Sequence, residues 1–289
     1  MTVTPRRTLA LLAALGLALP AGLATAAPVI DENLQITLPT PQPWAMRNLI
    51  KDGTLIVATT AKTKGETFIG DDGTLQGARI DLWNKIAEDL GLKTEYVTID
   101  WAGVMPGLAA NRFDLACEGA SWTPERLTSP DFFMTRPVKV AVNVGVVRAD
   151  SGIDSWDQAQ GKKLGGVKGE IELKDLIAHV PGADADAALS LPGVSEARLA
   201  LMNGQIDVYG TGIQAAKSLL AGPDGDKLKI LAEPTKVGVG GFCVNRNEPD
   251  LAQAVNFLLA KYRADGTMTA INEKWDLPDY SDLLGQLGY

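Results

Sequence analysis

Two cysteines and one histidine in 289 residues set the first limits on this chain. Cys117 and Cys243 permit at most one disulfide, and only in an oxidising compartment. Each sits in an apolar run, so a bridge and two buried thiols both remain open. With His179 as the single imidazole, the common zinc sites cannot be assembled, and neither a metal nor another cofactor is expected. His179 precedes Pro181-Gly182, where a helix should end, and no serine or cysteine partner for nucleophilic catalysis is apparent. Positive charge is also scarce: 27 Lys and Arg against 35 Asp and Glu give a net charge of −8. Scattered acidic charge excludes the basic patch that nucleic-acid or anionic-membrane binding needs. No repeat of fixed period and no low-complexity tract occurs.

The one long apolar run is at the start. Arg6 and Arg7 precede Leu9 to Leu23, and Ala24-Thr25-Ala26 offers a small-x-small cleavage site. The run is short for a membrane span and contains Pro20. Residues 1–26 therefore read as a signal peptide, and a periplasmic location is expected. No Cys stands at the cleavage point to carry a lipid anchor. The remaining chain is long enough for one large domain or two lobes with separate cores.

After a proline-rich arm at 27–46, apolar patterning alternates between strand and helix. Strands are expected at 55–58, 94–99 and 113–117, with helices at 80–90 and 104–110 between them, the second broken early by Pro106. That order implies a parallel sheet with helices on its faces. Residues 138–147 form a long Val- and Ala-rich run without a helical stripe, read as a strand leaving one lobe for another. A second series follows: strands at 164–167, 206–209 and 228–231, helices at 170–180, 194–202 and 213–220, and a glycine-loosened strand at 237–244. Two helices, at 250–264 and 268–275, close the chain around Asp265-Gly266-Thr267. Strand-like crossings near 138–144 and 238–244 would join two α/β lobes, 27–140 with 243–289 and 141–242. In such sheets ligands bind beyond the strand carboxyl ends, which marks residues 59–68, 98–103, 117–123, 168–171 and 209–213.

Two segments carry chemistry. Asp72-Gly73-Thr74-Leu75-Gln76-Gly77-Ala78-Arg79-Ile80-Asp81-Leu82 reads as a turn, a short strand and a helix start. Ser121-Trp122-Thr123-Pro124-Glu125-Arg126 puts a hydroxyl, a helix start and one guanidinium within six residues. Spacing alone leaves Arg126 divided between a surface residue at a Thr123-capped helix and a receptor for an anion. A guanidinium presents a rigid fork that matches a carboxylate.

With Phe68, Ile99-Asp100-Trp101, Pro106, Leu108, Phe113-Asp114, Gly161-Lys162-Lys163, Gln205-Ile206-Asp207-Val208 and Asp265-Gly266-Thr267 added, the ordered set resembles the polar-amino-acid family of periplasmic solute-binding proteins, family 3, the receptors of ABC importers. The resemblance spans nearly the whole chain after residue 26. It implies a two-lobe, type II periplasmic binding fold with a ligand cleft between lobes joined by two strand-like hinges. It also implies that Arg126 grips a ligand carboxylate, with a backbone donor at Ser121 and a backbone acceptor at Gly119. Trp101 and Phe68 would be aromatic walls, against which ordinary core packing stands as the alternative.

The departures bear on the ligand. Family members carry an Asp for the ligand ammonium where this chain has Gly212, beside Thr211. Where hydroxyl residues complete the carboxylate pocket, this chain has Glu170 and Ile171, and a Ser-rich position is Glu118. A carboxylate next to a bound carboxylate repels it unless it turns away or meets positive charge. Either Glu170 or Glu118 takes over the ammonium contact, or the ligand is a zwitterion or cation of another shape; both residues otherwise read as solvated surface.

The expected function is capture of a small carboxylate-bearing zwitterion, an amino acid or derivative, by hinge closure, with delivery to an inner-membrane ABC permease. The protein is expected to be a monomer and not an enzyme. The alternative is a dehydratase of the cyclohexadienyl type, with Glu170 as general acid in a dry cleft.

Overall fold

A computed structural model describes residues 48–288. The expected signal peptide and the proline-rich arm lie outside the described residues. The first half contains β1 (Thr54–Thr59), β2 (Lys62–Thr63), β3 (Thr67–Ile69), β4 (Leu75–Gln76), α1 (Ala78–Asp89), β5 (Lys93–Thr98), α2 (Trp101–Ala109), β6 (Leu115–Ser121), α3 (Pro124–Leu127) and β7 (Phe132–Met134). The long β8 (Lys139–Arg148) follows. Beyond it come β9 (Leu164–Val167), α4 (Ile171–His179), β10 (Leu189–Leu191), α5 (Val194–Met202), β11 (Val208–Gly212), α6 (Ile213–Ala221) and β12 (Leu228–Ile230). A second long strand, β13 (Lys236–Asn245), leads back to α7 (Pro249–Ala264), α8 (Thr267–Lys274) and α9 (Ser281–Gln286).

The strand order is β5-β1-β6-β13-β8-β11-β9-β10. At each end the pairs are parallel, β1 with β5 and β6, and β9 with β10 and β11. In the middle the two long strands run antiparallel to each other, from Lys139 opposite Gly240 to Asn143 opposite Lys236. This is the two-lobe, type II arrangement: two α/β halves joined by a pair of extended strands.

Each half has its own core, divided by the sheet. In β1, Leu55 and Val57 face Trp83, Ile86, Leu259 and Tyr262, while Ile56 and Ala58 face Val104, Leu108 and Phe113. That is the period-2 alternation of a strand covered on both faces. In the other half, Val146, Leu201, Ile206 and Tyr209 form one cluster, and Val147, Trp156, Leu176 and Val208 another. His179 ends α4 and its ring packs edge-on against Trp156, with centroids 4.6 Å apart.

The hairpin before α1 depends on Gly77, which has φ 131°. A methyl group there would lie 2.1 Å from the Glu66 carbonyl oxygen, so no other residue fits. Pro106 sits inside α2 rather than ending it. Cys117 and Cys243 are buried free thiols, and the Cys243 Sγ lies 3.4 Å from the Met134 Sδ.

Candidate functional site

A cavity of about 130 Å³ opens where the two halves face each other. Each of the five segments marked from the sequence contributes to it: Thr60, Lys62, Thr63 and Glu66; Trp101; Glu118 to Ser121; Glu170; Thr211 and Gly212. The long strand β8 adds Lys139 to Asn143, and Glu172, Pro192 to Val194 and Gln214 are also among the lining residues.

One wall is organised around Arg126. Strand β6 ends at Ser121, and Thr123 is extended, with its hydroxyl accepting from the Arg126 backbone N–H at 3.2 Å. Pro124 then starts α3 with φ already preset. This cap fixes the turn that carries Arg126. Its guanidinium folds back and Nη1 donates to the Ser121 carbonyl at 3.0 Å. The guanidinium carbon stands 5.7 Å from the centre of the Trp101 ring, within range of a cation–π contact. Lys139 crosses the same wall; a methyl group on Gly119 would meet its aliphatic stem at 3.1 to 3.4 Å.

Glu118 also belongs to this wall, and its carboxylate is occupied. Oε1 accepts from the Thr59 hydroxyl at 2.9 Å, the Thr60 backbone N–H and the Thr67 hydroxyl at 3.2 Å. Glu66 is engaged as well, with Arg79 at 3.5 Å in a nearly inaccessible pair. Burial by itself pushes the Glu66 carboxyl up, but Lys139 and Arg79 outweigh it and hold it below its ordinary value.

The facing wall is acidic. Strand β9 ends at Val167, the chain turns through Gly169 at φ +83°, and Glu170 is the extended residue before α4. Glu170 makes no side-chain capping bond. Burial, and then the neighbouring Glu172, push its carboxyl up to about 8, against the pull of Lys139, Arg126 and Lys62. Glu172 is raised mainly by burial, although its own backbone N–H, Lys139 and Arg126 oppose the shift. The Trp101 Nε1 spans the gap and donates to the Gly169 carbonyl at 3.1 Å. An ion pair also joins α3 to α4, Lys174 with Glu125 at 3.7 Å, but it is about 70% exposed on both sides and adds little.

The structure brings Trp101, Glu118, Gly119, Ser121, Arg126, Glu170 and Thr211 to one cavity. It does not bring Phe68 or Ile171 there. Thr67 in β3 points to Glu118, so its neighbour Phe68 faces the opposite side of the strand and packs edge-on against Trp275, 5.6 Å between centroids. Ile171 opens α4 and stays out of the cavity lining, which the extended Glu170 before it and Glu172 after it both reach. Sequence reasoning missed Lys62, Glu66, Lys139, Asn143 and Glu172. A signal existed for two of these: Lys139 and Asn143 are the polar interruptions of the apolar run 138–147.

Among the described residues no group of three or more His, Cys, Asp or Glu is placed to hold a metal ion. No helix among them is long and apolar enough to cross a membrane.

Comparison with known proteins agrees with this fold. The L-cystine-binding protein of Escherichia coli is 28% identical over 231 residues, covering 79% of this chain and 85% of its own length. Two solved structures also superpose well. An ancestral arginine-binding protein bound to arginine has 30% identity and a TM-score of 0.68, covering 77% of this chain and 98% of the other. An ancestral amino acid-binding protein, described as a precursor of cyclohexadienyl dehydratase, has 26% identity and a TM-score of 0.67, covering 77% and 95%. The profile of the bacterial extracellular solute-binding proteins, family 3, matches residues 55–278, most of the chain, and this protein belongs to that family.

Proposed function

We propose that this protein is the periplasmic substrate-binding component of an ABC importer. It is exported behind a signal peptide at 1–26, acts as a monomer, and delivers an amino acid or a close derivative to an inner-membrane permease. We take residues 27–140 with 243–289 as one lobe and 141–242 as the other. No bond is made or broken. A ligand that touches both lobes only when they are closed favours the closed form by its differential affinity, the hinge closure for which periplasmic binding proteins are a standard example.

The observation that carries this reading is the polarity of the cavity. Arg126, held by the Ser121 carbonyl and backed by Trp101, faces Glu170 across the gap. A guanidinium on one wall and carboxylates on the other suit a molecule with one anionic and one cationic end. Ser121 and Gly119 would offer backbone contacts beside Arg126, and Thr211 a hydroxyl on the far side. The relatives named for cystine and arginine support an amino acid as the ligand class.

Calorimetric titration of the twenty proteinogenic L-amino acids and L-cystine tests the reading. At least one should bind, and Arg126→Ala should weaken it about a hundredfold, the scale of removing one charged hydrogen-bonding partner from a desolvated site. Absence of binding across the panel would overturn it.

One observation favours a second reading. An acid that keeps its proton near neutrality inside a cavity, as Glu170 does, is suited to general acid catalysis. Conversion of prephenate or arogenate by the purified protein would replace transport with dehydration.

A further inference from the structure

A zwitterion whose carboxylate lies on Arg126 leaves an ammonium group with three donors to satisfy in a partly dry cavity. Four carboxylates line that cavity: Glu66, Glu118, Glu170 and Glu172. Two are already committed, Glu66 to Arg79 and Glu118 to its three donors on the first wall. Among the described residues, Glu170 and Glu172 have no hydrogen bond or ion pair with the side chain of another residue.

Position separates the remaining two. Gly212, at the junction of β11 and α6, has ordinary extended backbone, φ −73° and ψ 149°, so nothing in its conformation calls for glycine. The space where its side chain would project is open, and the one atom that reaches it is the Glu172 Oε1, 4.0 Å from the site of a Cβ. The α4 carboxylate thus leans over the bare end of β11, beside the buried Thr211. Arg126 and Lys139 act on both acids, but Glu170, one residue ahead of the helix, is also pulled by Lys62 and places no atom within 4 Å of the Gly212 side-chain site.

We propose that Glu172 is the residue that holds the ligand's α-ammonium group, reaching from the start of α4 into the space left by Gly212, and so selects amino acids over otherwise identical acids. The proposal rests on the binding reading above. Glu170 faces the carboxylate end of the ligand, and Thr211 supplies a second acceptor to the ammonium.

The test uses the full chain and a paired panel: the twenty proteinogenic L-amino acids and L-cystine, each beside the 2-hydroxy acid with the same side chain, followed by thermal shift and calorimetry. The wild type should prefer the best-bound amino acid over its hydroxy acid by about tenfold or more, the worth of one charge-assisted contact. Glu172→Gln should bring that preference to within about twofold, whereas Glu170→Gln should retain it. The double variant Glu172→Gln with Gly212→Asp should restore the preference, because the new carboxylate enters the same space. Melting curves of the ligand-free variants separate impaired folding from impaired recognition, and the double variant supplies a readout that a purely structural Glu172 would not give. Should Glu172→Gln keep the preference, or Glu170→Gln abolish it instead, the assignment is wrong while the binding function stands. If no panel member binds the wild type, both fall.

Discussion

The two walls of the cavity meet the same ligand with opposite habits. On the first wall the polar groups are settled before anything binds. Thr123 caps α3, Arg126 is anchored to Ser121, and Glu118 has three donors on one oxygen. On the second wall Glu170 caps nothing and shares its surroundings with another acid, and both carboxyls are pushed up by burial. A preorganised wall makes recognition cheap in entropy. An unsatisfied wall stores an electrostatic demand that only a cation can meet. In the proposed binding function the first sets where a guest lies, and the second decides what else the guest must carry.

The sharpest way to break this contrast is to remove Arg126. Arg126→Ala should cost about a hundredfold in affinity, because the facing acids then have no counterweight to the ligand carboxylate. Calorimetry reads the loss directly, and a change under twofold would mean that the first wall orients nothing.

The next effect is on pH. Glu170, with its carboxyl near 8, is largely protonated at pH 7 in the ligand-free site, where burial and then Glu172 push it up and Lys139, Arg126 and Lys62 pull it down. The guest's carboxylate lies beside Glu170 and favours the protonated acid, so binding takes up a proton where the free acid is ionised. Affinity should therefore be level below about pH 8 and fall above it, by at most tenfold per pH unit. Titration in two buffers of different ionisation enthalpy measures the proton taken up, and Glu170→Gln should reduce it.

A third comparison sets acid against acid in the empty protein. Glu118→Gln loses charge-assisted bonds from Thr59, Thr60 and Thr67 and should lower stability by about 1–2 kcal/mol. Glu170→Gln should do the reverse at higher pH. Its folded value lies above its unfolded one, so its contribution to stability declines as pH rises between about 4.5 and 8. The amide removes that decline. Denaturant melts at pH 5 and pH 8 would show whether the two variants move in opposite directions.

The smallest effect concerns the bridge between the walls. Trp101→Phe deletes the hydrogen bond to Gly169 while leaving an aromatic face for Arg126. A loss of about 1 kcal/mol from the closed form is expected, seen as faster ligand release in stopped flow. An unaltered release rate would show that the bridge contributes nothing to closure.

Much of the first wall was legible in the sequence, because its parts are contiguous. Ser121 to Arg126 spells out a strand end, a cap, a helix start and a guanidinium in order, and local rules suffice to read it. The alternating runs likewise announced both α/β halves and the two long crossings. The structure departs from the sequence reading where direction rather than identity mattered. Phe68 and Thr67 are neighbours on opposite faces of a short strand, and so short a segment gives too little alternation to choose between them. Ile171 and Glu172 differ by one helical step, and only the packed helix shows which side faces inward. The β10 strand and the closing α9 were also unmarked, since three half-exposed residues and one short turn leave little periodic signal.

Strands β8 and β13 do two jobs with the same residues. Lys139 to Asn143 line the cavity, and they are also the stretch along which the two crossings pair. Anyone re-engineering this receptor for a new guest will find that substitutions there alter fit and flexibility together.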